Sequence, residues 1–412
     1  MACTRRVFLS TASGLVLAAG PARAQSLRAT QGTQVRGAND RIRIGIIGTG
    51  GRARGLMTNL KRLAGAELVA VCDVYEPRLL QAAEIAGPAV VKHADYRRLL
   101  EDRQVDAVLI GSPDHWHKTM TLDAVAAGKD VYVEKPVSHT IAEGVEMVKA
   151  VEASKQVVQT GTQQRSWDHF ILGKQLIDSG RLGQITFVQT YWYQHSRAGT
   201  YAPVAMDKLD WKAWLGSAAD RSFQPERFYQ WRHFWDYGGG CITDLMTHWI
   251  DVVHWYMDVE APASAIATGR NYNIKLWEAP DTVSATLEFP KNFMAAYLGT
   301  YVSKVDDGGL EFRGELGTLK IDRARLAFYR DDAAYAAGTL TPEPEIYVRS
   351  GADGSIAHLQ NWLDCIRSRK TPAAPIRAGH AAARTSHITN TALRSGRPAR
   401  WNSSTGEITA AI

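Results

Sequence analysis

The chain has 412 residues, 45% of them hydrophobic and 22% charged, with a formal net charge of +6. That is an ordinary soluble composition, long enough for two domains with a core each. Discounting Arg5, Arg6 and Arg23, which lie in a segment expected to be removed, the charge falls to +3, and with no dense Lys/Arg run there is no basis for a nucleic-acid partner.

Residues 1–24 read as a targeting signal. Thr4-Arg5-Arg6-Val7-Phe8-Leu9 precedes a weakly apolar stretch to Ala19 and a cleavage-like Ala22-Arg23-Ala24. The paired arginines followed by Phe-Leu resemble the twin-arginine export signal of bacteria, with a Sec signal carrying two arginines as the alternative. The apolar part is short and interrupted by Ser10, Thr11 and Ser13, so no stable membrane anchor is expected. Twin-arginine export carries folded proteins, which suits a chain that acquires a cofactor in the cytoplasm. The expectation is therefore a periplasmic or exported protein whose partners include the twin-arginine machinery, with residues 25–40 as an arm or linker. Cys3 goes with the signal, and Cys72, Cys241 and Cys365 show no pairing pattern, so no disulfide is expected.

From Arg41 the pattern becomes regular. Arg41-Ile-Arg-Ile-Gly-Ile-Ile-Gly-Thr-Gly-Gly-Arg-Ala-Arg-Gly55 reads as strand, tight turn and the start of a helix. Gly48, Gly50 and Ala53 fill the small-residue positions of the dinucleotide-binding fingerprint, and Thr49, Gly51 and Arg52 complete the turn. Unpaired N–H groups at the helix start would meet the phosphates. Asp73 ends the next apolar run at the distance the fingerprint requires for an acid on the ribose hydroxyls, favouring NAD, while Arg78 leaves NADP open.

Strands at Leu68–Cys72, Ala107–Ile110, Asp130–Val133 and Val157–Thr160 alternate with helices after Tyr75, from about Thr119 and from Ile141. This predicts a Rossmann-type, doubly wound parallel sheet over residues 41–160, with its ligand at the carboxyl ends of the strands. Two segments end at that edge. In Gly111-Ser-Pro-Asp-His-Trp-His117 the histidines His115 and His117, with Asp114, form a poor zinc pattern, because an i, i+2 pair lacks a third ligand at helical spacing. The loop is read instead as cofactor packing through Ser112, Pro113 and His117, and no metal is expected. In Glu134-Lys135-Pro136 a lysine just past a buried strand is placed to meet substrate above a nicotinamide; the alternative is a solvated Lys-Pro turn. Glu134, Lys135 and, further on, Gln163 complete the expected cofactor contacts.

After Gly161-Thr-Gln-Gln-Arg165 the rhythm changes. Strand-like runs cluster at Ile185–Tyr193, Ser264–Thr268, Val283–Phe289, Met294–Tyr301 and Thr318–Ile321, predicting an α+β domain over 161–412 with an open, largely antiparallel mixed sheet. Trp231 to His248 holds three glycines and then a predicted helix, Ile242–Tyr256, on which Asp244 and His248 share a face at i, i+4. Such a pair can hold a histidine in one tautomer as a general base, or can simply be a satisfied surface pair. Eight of the twelve tryptophans fall between Trp167 and Trp255. Rings beside Arg165, Arg232 and Asp236 suit a carbohydrate, with Arg165, Arg232, Trp235 and Tyr237 as candidate contacts, though most such rings are core. Trp211 and Trp214 look structural. Amphipathic stripes at Ile356–Ser368 and Gly379–Leu393 predict two further helices that carry no chemical signal.

On Gly45-Ile-Ile-Gly-Thr-Gly-Gly-Arg, on Glu134-Lys135-Pro136 and on the glycine turn with Asp244 and His248, the chain resembles the Gfo/Idh/MocA oxidoreductases from about Arg41 to its end. The resemblance implies an open sheet that covers a nicotinamide cofactor and forms homo-oligomer contacts, as a dimer or tetramer. It implies a sugar or polyol substrate whose reacting hydroxyl meets Lys135, with His248 as base and Asp244 orienting substrate or histidine. Outside the cytoplasm no free nicotinamide pool is expected, which implies a tightly held cofactor. The alternative within the family is a redox-neutral, NAD-dependent glycosidase of the α-N-acetylgalactosaminidase type, working by transient oxidation and elimination. A non-enzymatic sugar-binding protein is disfavoured because the fingerprint, Lys135, Asp244 and His248 are all intact.

Overall fold

Two sheets organise the chain. The computed structural model describes residues 41–410 apart from 197, 198, 200, 332–337, 339–342 and 352; the expected signal (1–24) and arm (25–40) lie outside the described residues. No helix among these is long and apolar enough to cross a membrane.

The first sheet is parallel: β1 (Ile42–Ile47), β2 (Ala66–Cys72), β3 (Val91–His93), β4 (Ala107–Ile110), β5 (Asp130–Val133) and β6 (Val158–Thr160), in the order β3-β2-β1-β4-β5-β6. Helices α1 (Gly51–Leu60), α2 (Glu76–Ala86), α3 (Tyr96–Glu101), α4 (His117–Ala126) and α5 (Ile141–Glu152) connect it. Strands β4 and β5 are buried along their whole length, as expected of a sheet covered on both faces. The strand order reverses between β1 and β4, which opens a crevice at their carboxyl ends. The sequence reading missed β3 and α3: β3 is three residues long with Val91 and Lys92 exposed, so no buried periodicity marks it.

The second sheet has ten strands: β7 (Ile185–Tyr193), β8 (Ser264–Arg270), β9 (Thr282–Phe289), β10 (Phe293–Thr300), β11 (Gly308–Gly314), β12 (Gly317–Asp322), β13 (Arg325–Arg330), β14 (Ile346–Arg349), β15 (Ala399–Asn402) and β16 (Glu407–Ala410). Its order is β14-β13-β12-β11-β7-β10-β9-β8-β15-β16, antiparallel except for the β7–β10 pair. Five of the ten were expected. The missed ones are short, or glycine-led like β11, or flanked by charge like β13, so pairing partners rather than local propensity make them strands. One face packs on α6 (Asp168–Asp178) and α9 (Thr247–Met257). The other leaves Ile266, Met294, Leu298 and Tyr347 exposed. Two short helices, α7 (Trp211–Leu215) and α8 (Pro225–Tyr229), lie between β7 and the glycine turn.

Two C-terminal helices return to the first sheet. The buried side of α10 (Gly354–Ser368), Leu359, Trp362, Leu363 and Ile366, shares a core with Ile44, Ile46, Leu56 and Val71. The expected boundary at residue 160 therefore does not divide the packing. An amphipathic stripe specifies that a helix has a buried face but not which sheet covers it. α11 (Ile376–Ser395) packs against both α5 and α9 and buries Thr385, Ser386, Thr389 and Asn390. Cys72, Cys241 and Cys365 are free and buried.

Candidate active site

The glycine turn lies at the strand-order reversal. Gly48 has φ +77°, and a Cβ there would sit 2.6 Å from the Ser112 backbone nitrogen, so only glycine fits between β1 and β4. At Gly50 and Gly51 a Cβ would meet nothing within 4 Å, and no side chain caps α1. The helix start thus faces a cavity of about 470 Å³ lined by Gly48, Gly50, Gly51, Arg52, Asp73, Ser112 and Pro113. Thr49 points inward, giving its backbone N–H (2.7 Å) and hydroxyl (2.9 Å) to Asp73 Oδ2. It holds the acid rather than lining the cavity. Arg78 lines the cavity too, its guanidinium 4.3 Å from the Phe228 ring centre and 5.9 Å from that of Tyr229.

A second cavity of about 410 Å³ adjoins the first through Arg52, Tyr229 and Arg232, which line both. Glu134, Lys135, Gln163, Asp244 and His248 line it as well. Lys135 comes from the end of β5 and Asp244 from a π-helical turn, Ile242–Met246, that leads into α9. Lys135 Nζ donates to the Asp244 carbonyl (2.6 Å) and to its Oδ1 (2.8 Å). Arg232 Nε donates to the same Oδ1 at 3.1 Å, and the Tyr301 hydroxyl to Oδ2 at 2.9 Å. Burial opposes ionisation of Asp244, but Lys135 and Arg232 outweigh it and hold the carboxyl far below its usual range. In the same way Arg52, whose Nε bonds Glu134 Oε1 at 2.7 Å, and Lys135 overcome burial to keep Glu134 ionised.

His248 is buried against the Trp192 ring, 5.2 Å between centres. Its Nδ1 is buried without a partner, which leaves Nε2 as the nitrogen open to the cavity. Burial first, then the positive charges of Lys135, Arg323 and Arg52, push its pKa well below 6.5. It is a neutral imidazole at ordinary pH. Asp244 does not hold it: the shared helical face brings the two residues to one cavity, but the carboxylate is saturated by Lys135, Arg232 and Tyr301. The expectation of an Asp–His pair is corrected accordingly. Asp244 fixes the lysine.

Four other expectations are corrected. His117 lies behind the cavity wall, with Nδ1 2.7 Å from the Pro136 carbonyl and Nε2 3.0 Å from that of Ser112, so it ties two loops together. Arg165 is turned away by buried Asp251, which takes Nε with both oxygens at 3.0 and 2.8 Å. Trp235 faces a separate cavity, its ring under Arg394. Tyr237 is fully buried against Trp214, 4.8 Å between ring centres, and His115, 5.2 Å. Asp236 pairs with Arg221 and Arg227. Residues that the sequence reading missed line the second cavity in their place: Trp192, Gln230, His233, Tyr301 and Arg323. No local pattern marks them; only the convergence of β7, the end of β10, the β12–β13 turn and the turn after α8 does. Among the described residues no three His, Cys, Asp or Glu side chains are grouped to hold a metal ion.

The residues present fit a dinucleotide. The open glycines at the start of α1 leave room for a pyrophosphate, Asp73 stands at the ribose end, and Gln163 Oε1 and Arg52 Nη2 are buried without partners beside the second cavity. Residues 42–162 match the oxidoreductase family described by its NAD-binding Rossmann fold, and residues 215–320 match the GFO/IDH/MocA C-terminal domain. The chain belongs to the Gfo/Idh/MocA oxidoreductases. It is 33% identical over 186 residues to inositol 2-dehydrogenase 1 of Saccharopolyspora erythraea, covering 43% of this chain and 55% of that one. To a glycosyl hydrolase family 109 protein of Solibacter usitatus it is 34% identical over 164 residues, 37% of each chain. The match thus spans well under two thirds of either relative. The fold is similar to the WlbA dehydrogenase of Bordetella pertussis, solved with NADH and UDP-GlcNAcA, with a TM-score of 0.66 at 20% identity over 87% of this Gfo/Idh/MocA chain and 98% of that one.

Proposed function

We propose that this Gfo/Idh/MocA member oxidises a hydroxyl of a sugar or polyol. The observation that carries the reading is the single cavity in which Lys135, anchored by Asp244, and neutral His248 meet beside the glycine-turn crevice. A nicotinamide dinucleotide held by Gly48, Gly50, Gly51, Arg52, Asp73 and Ser112 would accept the hydride released from the hydroxyl-bearing carbon. His248 Nε2 takes the hydroxyl proton, so that carbon is left as a carbonyl. Lys135 spends two of its three N–H donors on Asp244 and aims the remaining one at the reacting oxygen, stabilising the charge that develops there. Similarity to an inositol 2-dehydrogenase and to a dehydrogenase solved with a sugar nucleotide supports the substrate class.

The test is to incubate the purified protein with polyols, free sugars and aryl glycosides and to follow reduced nicotinamide and released aglycone together. Reduced nicotinamide with a sugar or polyol is the expected result. Aglycone release without net reduction would establish the redox-neutral glycosidase reading instead, for which the resemblance to the family 109 hydrolase over 37% of the chain speaks. Neither product from any substrate overturns both.

Three further elements complete the proposal. Residues 1–24 export the chain through the twin-arginine pathway, on the strength of Arg5-Arg6 followed by Phe8-Leu9. The cofactor, NAD in preference to NADP because of Asp73, is retained rather than exchanged, so its reduced form is reoxidised in place by a second sugar that serves as hydride acceptor. The chain assembles as a homo-oligomer through the open sheet face that exposes Ile266, Met294, Leu298 and Tyr347. Cell fractionation of the double variant Arg5→Lys with Arg6→Lys should find it held in the cytoplasm, and unchanged export would remove the first element.

A further inference from the structure

Arg323 lies in the turn between β12 and β13 and lines the cavity that holds Lys135, Asp244 and His248. Its guanidinium stacks on Trp192, 4.3 Å from the ring centre, with Trp249 behind at 5.9 Å. Stacking fixes the plane of the guanidinium and uses none of its five N–H donors. Nε is buried and bonded to nothing, and no ion pair joins Arg323 to any described residue. The other cations of the cavity are matched: Arg52 with Glu134, and Lys135 and Arg232 with Asp244. Four cationic side chains therefore face two carboxylates, and Arg323 makes no ion pair: Asp307, Asp353 and Glu134 favour its charge only from beyond contact distance.

Burial, and then the like charge of Arg52, push its pKa down to about 10, so it stays cationic at neutral pH. A partly desolvated cation with no ion-pair partner costs folding free energy that a role in the function would offset. A neutral polyol would leave it unpaired. A carboxylate matches its planar fork with two parallel N–H···O bonds.

We propose that Arg323 is the anion-recognising residue of the substrate cavity. The preferred substrate is then a sugar or polyol acid, its carboxylate gripped by the Arg323 guanidinium while the hydroxyl to be oxidised meets Lys135 and His248. This inference rests on the oxidoreductase reading and deepens it.

The experiment measures binding and kcat/KM of the NAD-loaded protein with glucuronate and galacturonate, with glucose, galactose and myo-inositol, and with glucose 6-phosphate. The uronates should be preferred over the matching neutral sugars by about tenfold to a hundredfold, the range of a charge-assisted bidentate contact. In Arg323→Gln that ratio should collapse to about one, and in Arg323→Lys, which keeps the charge without the fork, it should be intermediate. NAD affinity is measured on each variant. An unchanged value shows that the variant is folded and that Arg323 serves substrate; a matching loss of NAD affinity would assign it to the cofactor and overturn the proposal. Neutral sugars turned over with no carboxylate preference, or a preference that survives in Arg323→Gln, also overturn it and leave the oxidoreductase reading standing. Preference for glucose 6-phosphate over the uronates overturns the carboxylate assignment. If no sugar of any charge binds or reacts, the oxidoreductase reading falls and this inference with it.

Discussion

Asp244 shows how one side chain takes its role from its partners. Sequence spacing set it beside His248, yet its oxygens go to Lys135, Arg232 and Tyr301. Asp244→Asn removes the charge that balances both cations, and kcat/KM should fall by about a hundredfold to a thousandfold, as for other removed charge-assisted contacts at a reacting centre. Tyr301→Phe removes one neutral donor and should cost about tenfold; steady-state kinetics with NAD binding as the control separates the two. The state of His248 is tested by pH. Because its pKa lies well below 6.5, the base stays unprotonated as pH falls from 8 to 6, and the log kcat/KM profile should be flat there. An inflection near 6.5 would mean that the base titrates at the ordinary imidazole value, against the lowered pKa of His248. Lys135, Asp244 and His248 were legible in the sequence because each sits in a motif with its own turn. Arg165, Trp235 and Tyr237 were misread because facing is decided by remote partners: Asp251 lies 86 residues from Arg165. Arg323 and Tyr301 come from a strand turn and a strand end that carry no signal of their own.

Among the elements, the β1–α1 turn was read almost residue by residue, since a fingerprint is a backbone requirement written in side chains. Gly48→Ala tests it. The φ of +77° disfavours any Cβ, and this one would meet a backbone nitrogen that cannot swing aside. The variant should lose about 1–3 kcal/mol of stability and bind NAD more weakly. Thermal unfolding and NAD titration measure both, and a variant that matches the parent in each would contradict the close approach of β1 to Ser112. The π-helical turn at Ile242–Met246 was not legible, because a helical pattern of apolar residues does not reveal an inserted residue. Such turns concentrate at functional sites. Here it precedes α9 at the point where the Asp244 carbonyl and carboxylate both reach Lys135.

Across the whole molecule the buried histidines govern acid stability. Burial lowers His115, His233 and His254 to about 3 and His358 to about 4, against about 6.5 in an unfolded chain. Between those values the unfolded chain binds protons that the folded one does not. Stability is thus complete above about pH 6.5 and falls below it, by up to about 1.4 kcal/mol per histidine per pH unit. Chemical denaturation at pH 7.5 and pH 5 should show a much lower midpoint at the acid value; equal midpoints would mean that these rings are protonated in the fold. The path of the chain back to its first sheet bears on recombination. Leu359, Trp362, Leu363, Cys365 and Ile366 of α10 close a core whose other members lie before residue 160, with Trp362 fully buried. A chimera made with one crossover near that residue would pair the nucleotide-binding strands with a foreign α10 and leave a mismatched seam. Exchanging substrate specificity between relatives therefore calls for two crossovers, the second ahead of Gly354, so that the nucleotide half keeps its own closing helix.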